Sequence, residues 1–173
     1  VPPIQIERHF SPNYSRGRNG RGPEAIVLHT TAGTWAGTLA WFSRKASGVS
    51  AHYVVGLDGR VAQLVDDADT AWHAGRILRP TASLVATRAA SPNLYTIGIE
   101  FEDGGDPWGP RPDDQYSIGA RLLHHAAQRW AIPLDREHVF GHREVFAAKD
   151  CPGGLDVDRL VRDAGMLSAR RGA

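Results

Sequence analysis

Residues 51–65 read Ala51-His52-Tyr53-Val54-Val55-Gly56-Leu57-Asp58-Gly59-Arg60-Val61-Ala62-Gln63-Leu64-Val65. Two strand-like runs, Ala51 to Leu57 and Arg60 to Val65, flank an Asp-Gly pair. That pair favours a tight hairpin because the turn needs positive φ. One antiparallel strand pair is therefore expected inside a chain whose other segments alternate between strand and helix. Upstream, Glu24 to His29 is a short apolar run that suits a buried strand. Thr34 is placed to cap a helix with Trp35, Leu39, Phe42 and Ala46 on one face, and Gly48 to stop it. Downstream, Tyr95 to Glu102 alternates: Ile97, Ile99 and Phe101 share one face, and Gly98, Glu100 and Glu102 the other. Asp113 to Trp130 is the longest helical pattern, with Tyr116, Ala120, Leu123, Ala127 and Trp130 in register. His138 to His142 fits a short strand, and Asp156 to Ala164 a last helix with Val157, Leu160 and Val161 inward. Interleaved strands and helices with one hairpin predict a single α/β domain, a central mixed β-sheet flanked by helices.

The connections carry information too. Asp66 to Asn93 is a long irregular stretch, and such loops in compact domains are often functional. Gly104 to Pro112 is a Gly/Pro loop holding Trp108. Ser15 to Gly22 reads as loop, so residues 1–22 are expected to form an N-terminal arm and residues 23–173 the domain. The length of 173 residues suits one domain. A net charge of +1 and 23% charged residues call for neither nucleic acid nor a membrane surface as partner. Basic residues gather near the ends: Arg16, Arg18 and Arg21, then Arg159, Arg162, Arg170 and Arg171. They read first as solvated termini, and alternatively as weak attraction to an anionic polymer such as a cell wall. The single Cys allows no internal disulfide. No run reaches the roughly 18 apolar residues of a membrane span. Val1-Pro2-Pro3 opens the chain with no basic stretch and no apolar core of a secretory leader. A monomer is expected.

The chemistry concentrates late, in Gly141-His142-Arg143-Glu144-Val145-Phe146-Ala147-Ala148-Lys149-Asp150-Cys151-Pro152. With His29, at the end of the first apolar run, His142 and Cys151 make a three-ligand set for a borderline-soft cation. Three protein ligands are the count of a catalytic zinc site that keeps one position open, and a thiolate suits zinc better than magnesium or calcium. The plainer reading is a buried free thiol and two core imidazoles. Glu100, on the polar side of an otherwise apolar strand, is the candidate base for an attacking water. Its alternative is an ion-paired strand residue, and Glu102 on the same face is its competitor. Lys149 is one of two lysines; two residues before Cys151, it is placed to steady an oxyanion, or else is an ordinary solvated side chain. His73, in Trp72-His73-Ala74-Gly75, reads as a substrate contact or a hydrogen-bonded loop residue. His52 reads as support for the sheet, and His124, His125 and His138 as structural or exposed.

These segments together resemble the zinc-dependent N-acetylmuramoyl-L-alanine amidases, the type-2 amidase and peptidoglycan recognition protein family. The resemblance covers about residues 22 to 163. It rests on Val27-Leu28-His29-Thr30-Thr31, Val49-Ser50-Ala51-His52-Tyr53, Leu57-Asp58-Gly59, Ala71-Trp72-His73-Ala74-Gly75, Ile97-Gly98-Ile99-Glu100 and the stretch from Gly141-His142-Arg143 to Lys149-Asp150-Cys151-Pro152. Each is weak alone, and six in order are specific. The resemblance implies one Zn2+ per chain on His29, His142 and Cys151, with Glu100 as base and Lys149 stabilising the transition state. Many members carry a Tyr directly before the position of His52; here it is Ala51, which favours Glu100 as the base. Tyr53, one step after His52, is carried as a further substrate-side candidate with Trp72, His73 and Trp108. The implied reaction is hydrolysis of the amide between N-acetylmuramic acid and the L-alanine of the stem peptide, with bacterial peptidoglycan as partner and the cell wall as place of action, as in a bacteriolytic endolysin. A non-catalytic peptidoglycan-binding module is the alternative. An unrelated zinc peptidase is disfavoured, because no His-Glu-x-x-His helix is present.

Overall fold

The computed structural model describes residues 3–169; Val1, Pro2 and residues 170–173, including Arg170 and Arg171, lie outside the described residues. The elements are β1 (Glu7–Arg8), β2 (Tyr14–Ser15), β3 (Ala25–Thr30), α1 (Trp35–Phe42), β4 (Tyr53–Val55), β5 (Val61–Gln63), β6 (Thr70–Ala71), α2 (Ser83–Ala86), β7 (Thr96–Phe101), α3 (Asp113–Trp130), β8 (Val139–Gly141) and α4 (Val157–Ala169). Six strands form one sheet in the order β1-β5-β4-β7-β3-β8, and β2 pairs with β6 in a second, two-stranded sheet. The hairpin of β4 and β5 is the antiparallel pair of the main sheet, turning through Gly59 at φ 79°. Its other neighbours run parallel. The result is the mixed sheet that the hairpin and the interleaved helices predict.

Local chemistry sets the helix ends. The Thr34 hydroxyl accepts from the Gly37 N–H and caps α1. That helix ends at Phe42, earlier than expected, and Ala46 falls in a separate 3-10 turn closed by Gly48 in the left-handed region. Asp113 and Asp114 occupy the first turn of α3 and Arg129 its last, each matching the helix dipole.

The sheet buries both faces, which explains why β3 reads as a near-continuous apolar run. One face, with Ile26, Leu28, Tyr53, Ile97, Ile99 and Phe101, packs on Leu122 and Leu123 of α3 and Leu160 of α4. Each fully buried side chain of this kind contributes about 1.5–3 kcal/mol. The other face carries two smaller cores. Val54 and Ala62 sit with Trp35, Leu39 and Phe42; Ala25, Val27 and Phe140 sit with Ala74, Val85 and Val145. Between the two runs β7, which places no apolar side chain on this face. That gap is where the polar residues gather.

The expected N-terminal arm is woven into the fold instead. β1 extends the main sheet on β5, and β2 pairs with Thr70–Ala71. Arg18 is buried rather than solvated: its guanidinium donates to the carbonyls of Asp67 at 2.6 Å, Asn93 at 3.1 Å and Thr96 at 3.1 Å. Burial pulls its pKa down to about 10 against the attraction of Asp67, Asp69 and Asp66. Two-residue strands carry no readable period, and a guanidinium bonded to backbone leaves no pattern along the chain, so neither was visible in the sequence. Arg159 and Arg162 sit in ion pairs with Asp113 and Asp163 at the surface.

Candidate active site

His29 is the penultimate residue of β3, and its register partner on β7 is Glu100. His142 opens the 3-10 turn that follows β8, and Cys151 lies in the loop before α4. The ligating atoms of His29, His142 and Cys151 all lie within 4.8 Å of one another. Cys151 Sγ is 3.6 Å from His29 Nδ1, and the Thr30 N–H donates to the same sulfur at 3.3 Å. Asp103 braces the turn after His29: its carboxylate accepts from the Thr30 hydroxyl at 2.6 Å and from the N–H groups of Ala32 and Gly33, each at 2.8 Å.

The electrostatics of the cluster suit a cation. Burial, then the nearby charges of His142, His73 and Lys149, push the His29 pKa well below its usual range. His142 is pulled down to about 4 by burial and by Lys149. Both imidazoles are therefore neutral near pH 7 and hold lone pairs. Burial, with Glu100 beside it, pushes the Cys151 thiol up to about 12. Burial and Asp103 push Glu100 up to about 8, and Glu100 Oε2 is a buried oxygen without a hydrogen-bond partner. A soft donor, two neutral imidazoles and an orphaned carboxylate oxygen beside them form a set that zinc fits.

The cluster opens into a cavity of about 310 Å³ lined by His29, His73, Glu100, His142, Lys149 and Cys151. A second cavity of about 510 Å³ continues past Val49, Trp72, His73, His142 and Lys149, which line both, to Arg76, Asn93 and Phe146. The exposed side chain of Lys149 thus borders the cluster, and Trp72 walls the cleft, its indole N–H donating to Ser15 at 3.1 Å.

Three expected residues are not brought to the cleft. Tyr53 lies on the opposite face, in the core with Ile97 and Ile99, and accepts from Gln63 at 3.1 Å; burial raises its phenol pKa. Strand alternation puts it there, one position from His52. Trp108 packs under Arg143, 5.4 Å from guanidinium carbon to ring centroid, and leaves the cavity wall to Pro107. Glu102 is committed elsewhere, accepting from the N–H groups of Trp35 at 2.7 Å and Leu57 at 2.9 Å. His52 supports the sheet as expected, accepting from the Gly98 N–H at 3.0 Å. Sequence reasoning missed Asp103, Asn93 and Thr96. Thr96 had a signal, since it shares the strand face of Gly98 and Glu100.

Residues 19–154 match the family model described as N-acetylmuramoyl-L-alanine amidase. The chain is similar to N-acetylmuramoyl-L-alanine amidase A of Achromobacter lyticus, at 36% identity over 166 residues, covering 91% of this chain and 77% of that protein. Among solved structures, a selenomethionine derivative of AmpD aligns with a TM-score of 0.70 at 24% identity, over 91% of this chain and 93% of that one. A mutant endolysin from Bacillus subtilis aligns with a TM-score of 0.69 at 22% identity, over 94% of this chain and all of that one. These two structures show a common fold. The family match over most of the chain settles membership: this protein belongs to the N-acetylmuramoyl-L-alanine amidase family.

Proposed function

We propose that this protein hydrolyses the amide between N-acetylmuramic acid and the L-alanine of the peptidoglycan stem peptide, at one zinc ion held by His29, His142 and Cys151, in the role of a bacteriolytic endolysin at the cell wall. The observation that carries the reading is the convergence of three zinc-type donors within 4.8 Å of one another next to the unpartnered, buried Oε2 of Glu100. When bound, the ion supplies Lewis-acid polarisation of the scissile carbonyl and a nucleophilic water at neutral pH. Glu100 takes a proton from the attacking water and returns it to the alanine nitrogen as the C–N bond breaks. Its raised pKa makes it a stronger base than a solvated carboxylate, and a cation beside it offsets part of that rise. Lys149 presents a compact positive charge to the carbonyl oxygen as negative charge develops there. The cleft from Glu100 past Trp72 to Arg76 accepts the glycopeptide.

The test is incubation of the purified zinc-loaded protein with peptidoglycan. Free N-terminal alanine should appear without new reducing sugar ends. Reducing ends alone, or wall binding with no release, overturn the reading.

A further inference from the structure

Gly98 of β7 faces the ring of His73. A β-carbon at Gly98 would stand 2.4 Å from His73 Cγ, so the absence of a side chain there admits the imidazole over the strand. The loop that delivers His73 is clamped by Asn93, whose Oδ1 accepts from the N–H groups of His73 at 3.2 Å and Ala74 at 2.7 Å. So held, His73 meets two partners. Its Nε2 is 3.2 Å from Thr96 Oγ1, and its Nδ1 is 3.1 Å from His29 Nε2.

The direction of these bonds follows from one atom that cannot donate. Thr96 Oγ1 lies 2.7 Å from the Pro92 carbonyl oxygen. Two oxygens that close need a proton between them, and only the Thr96 hydroxyl has one to give. With its single proton spent there, Thr96 Oγ1 can only accept from His73, so His73 carries its proton on Nε2 and a lone pair on Nδ1. That lone pair faces His29 Nε2, which must then be the protonated nitrogen of His29. The lone pair of His29 is left on Nδ1, the atom that faces Cys151 Sγ. Tautomers assigned this way rest on the hydrogen-bond network, and here a backbone carbonyl anchors one end of it.

We infer that His73 is a positioning residue for the metal: the chain Pro92–Thr96–His73 holds His29 in the tautomer that offers Nδ1 to the ion. This rests on the zinc reading above and reassigns His73 from substrate contact to support of a ligand. A ligating imidazole usually has its second nitrogen bonded in this way, and loss of such a partner typically weakens metal binding by roughly tenfold to hundredfold.

The experiment uses the full zinc-loaded chain and two variants of Thr96. Thr96→Val keeps the shape and removes the hydroxyl, while Thr96→Ser keeps the hydroxyl. Zinc affinity is measured by competition with a chromogenic chelator, and the His73 tautomer by long-range proton–nitrogen NMR. The expected results are a His73 proton on Nε2 in the wild type, an affinity lower by roughly tenfold or more in Thr96→Val, and near wild-type affinity in Thr96→Ser. A His73 proton on Nδ1, or wild-type affinity in Thr96→Val, overturns the inference and leaves the zinc reading intact. A wild type that binds no zinc overturns the zinc reading itself.

Discussion

His29 and Glu100 are Cα partners across the parallel pairing of β3 with β7. Register partners project from the same face of a sheet, so His29, a proposed ligand, and Glu100, the proposed base, stand side by side on two central strands. The other two proposed ligands, His142 and Cys151, arrive from the connection between β8 and α4. The rigid half of the site is therefore written into strand register, and the rest depends on how one loop folds back over it.

Glu100→Gln preserves shape and removes the proposed base. The variant should bind zinc with wild-type stoichiometry while kcat falls by roughly 10²–10⁴-fold. Metal analysis beside steady-state kinetics checks both halves. A kcat within about threefold of wild type would place the base elsewhere.

Zinc binding should release protons. The Cys151 thiol, at about 12, must give up its proton to ligate, and Glu100, at about 8, ionises beside a cation. His29 and His142 are already neutral and contribute none. Titration calorimetry at pH 7 in buffers of differing ionisation enthalpy should report roughly one to two protons released per ion, with affinity rising as pH rises. Release of none contradicts a thiolate ligand.

Gly98→Ala forces a methyl group into the His73 ring. Neither the central strand nor the clamped loop can move freely, so a loss of about 1–3 kcal/mol in stability is expected, with weaker zinc binding. Adding His73→Ala to that variant should recover stability by removing the clash but leave zinc binding weak. Urea unfolding and chelator competition separate the two effects. Unchanged stability in the single variant would show that the close approach is not real.

His52 ties acid sensitivity to the fold. Burial, then Arg18, pulls its pKa down to about 3 from an unfolded value near ~6.5. Below that unfolded value the unfolded chain binds a proton that the native state refuses, so stability present above it is lost as pH falls toward about 3. His52→Asn keeps an acceptor for the Gly98 N–H and removes the titration. Its unfolding free energy should fall less steeply than the wild type's as the pH is lowered from 6.5 toward 4. Parallel slopes would remove His52 from the acid response.

Much of this was legible along the chain. The alternation of Ile97, Ile99 and Phe101 against Gly98 and Glu100 placed Glu100 opposite the main core, and the spacing of α3 marked that core's cover. The Asp58-Gly59 turn marked the antiparallel pair of the main sheet, β4 with β5. Other features were not legible for definite reasons. The two-residue strands of the N-terminal segment are held by backbone bonds that carry no side-chain signature. Trp108 and Arg143 meet through two loops whose paths no local rule dictates.

Residue type and strand period, both local properties, determined the mixed sheet, the donor set of His29, His142 and Cys151, and the face on which Glu100 stands. Only the tertiary structure decided that Arg18 is buried against the carbonyls of Asp67, Asn93 and Thr96, that Tyr53 is shut in the opposite core, and that His73 backs His29 instead of lining the cleft alone. The reason is that a hydrogen bond's direction, and hence which nitrogen of His29 is free, depends on His73, 44 residues from His29, and on Thr96, 23 residues from His73; such partners are brought together by folding and leave no period in the chain.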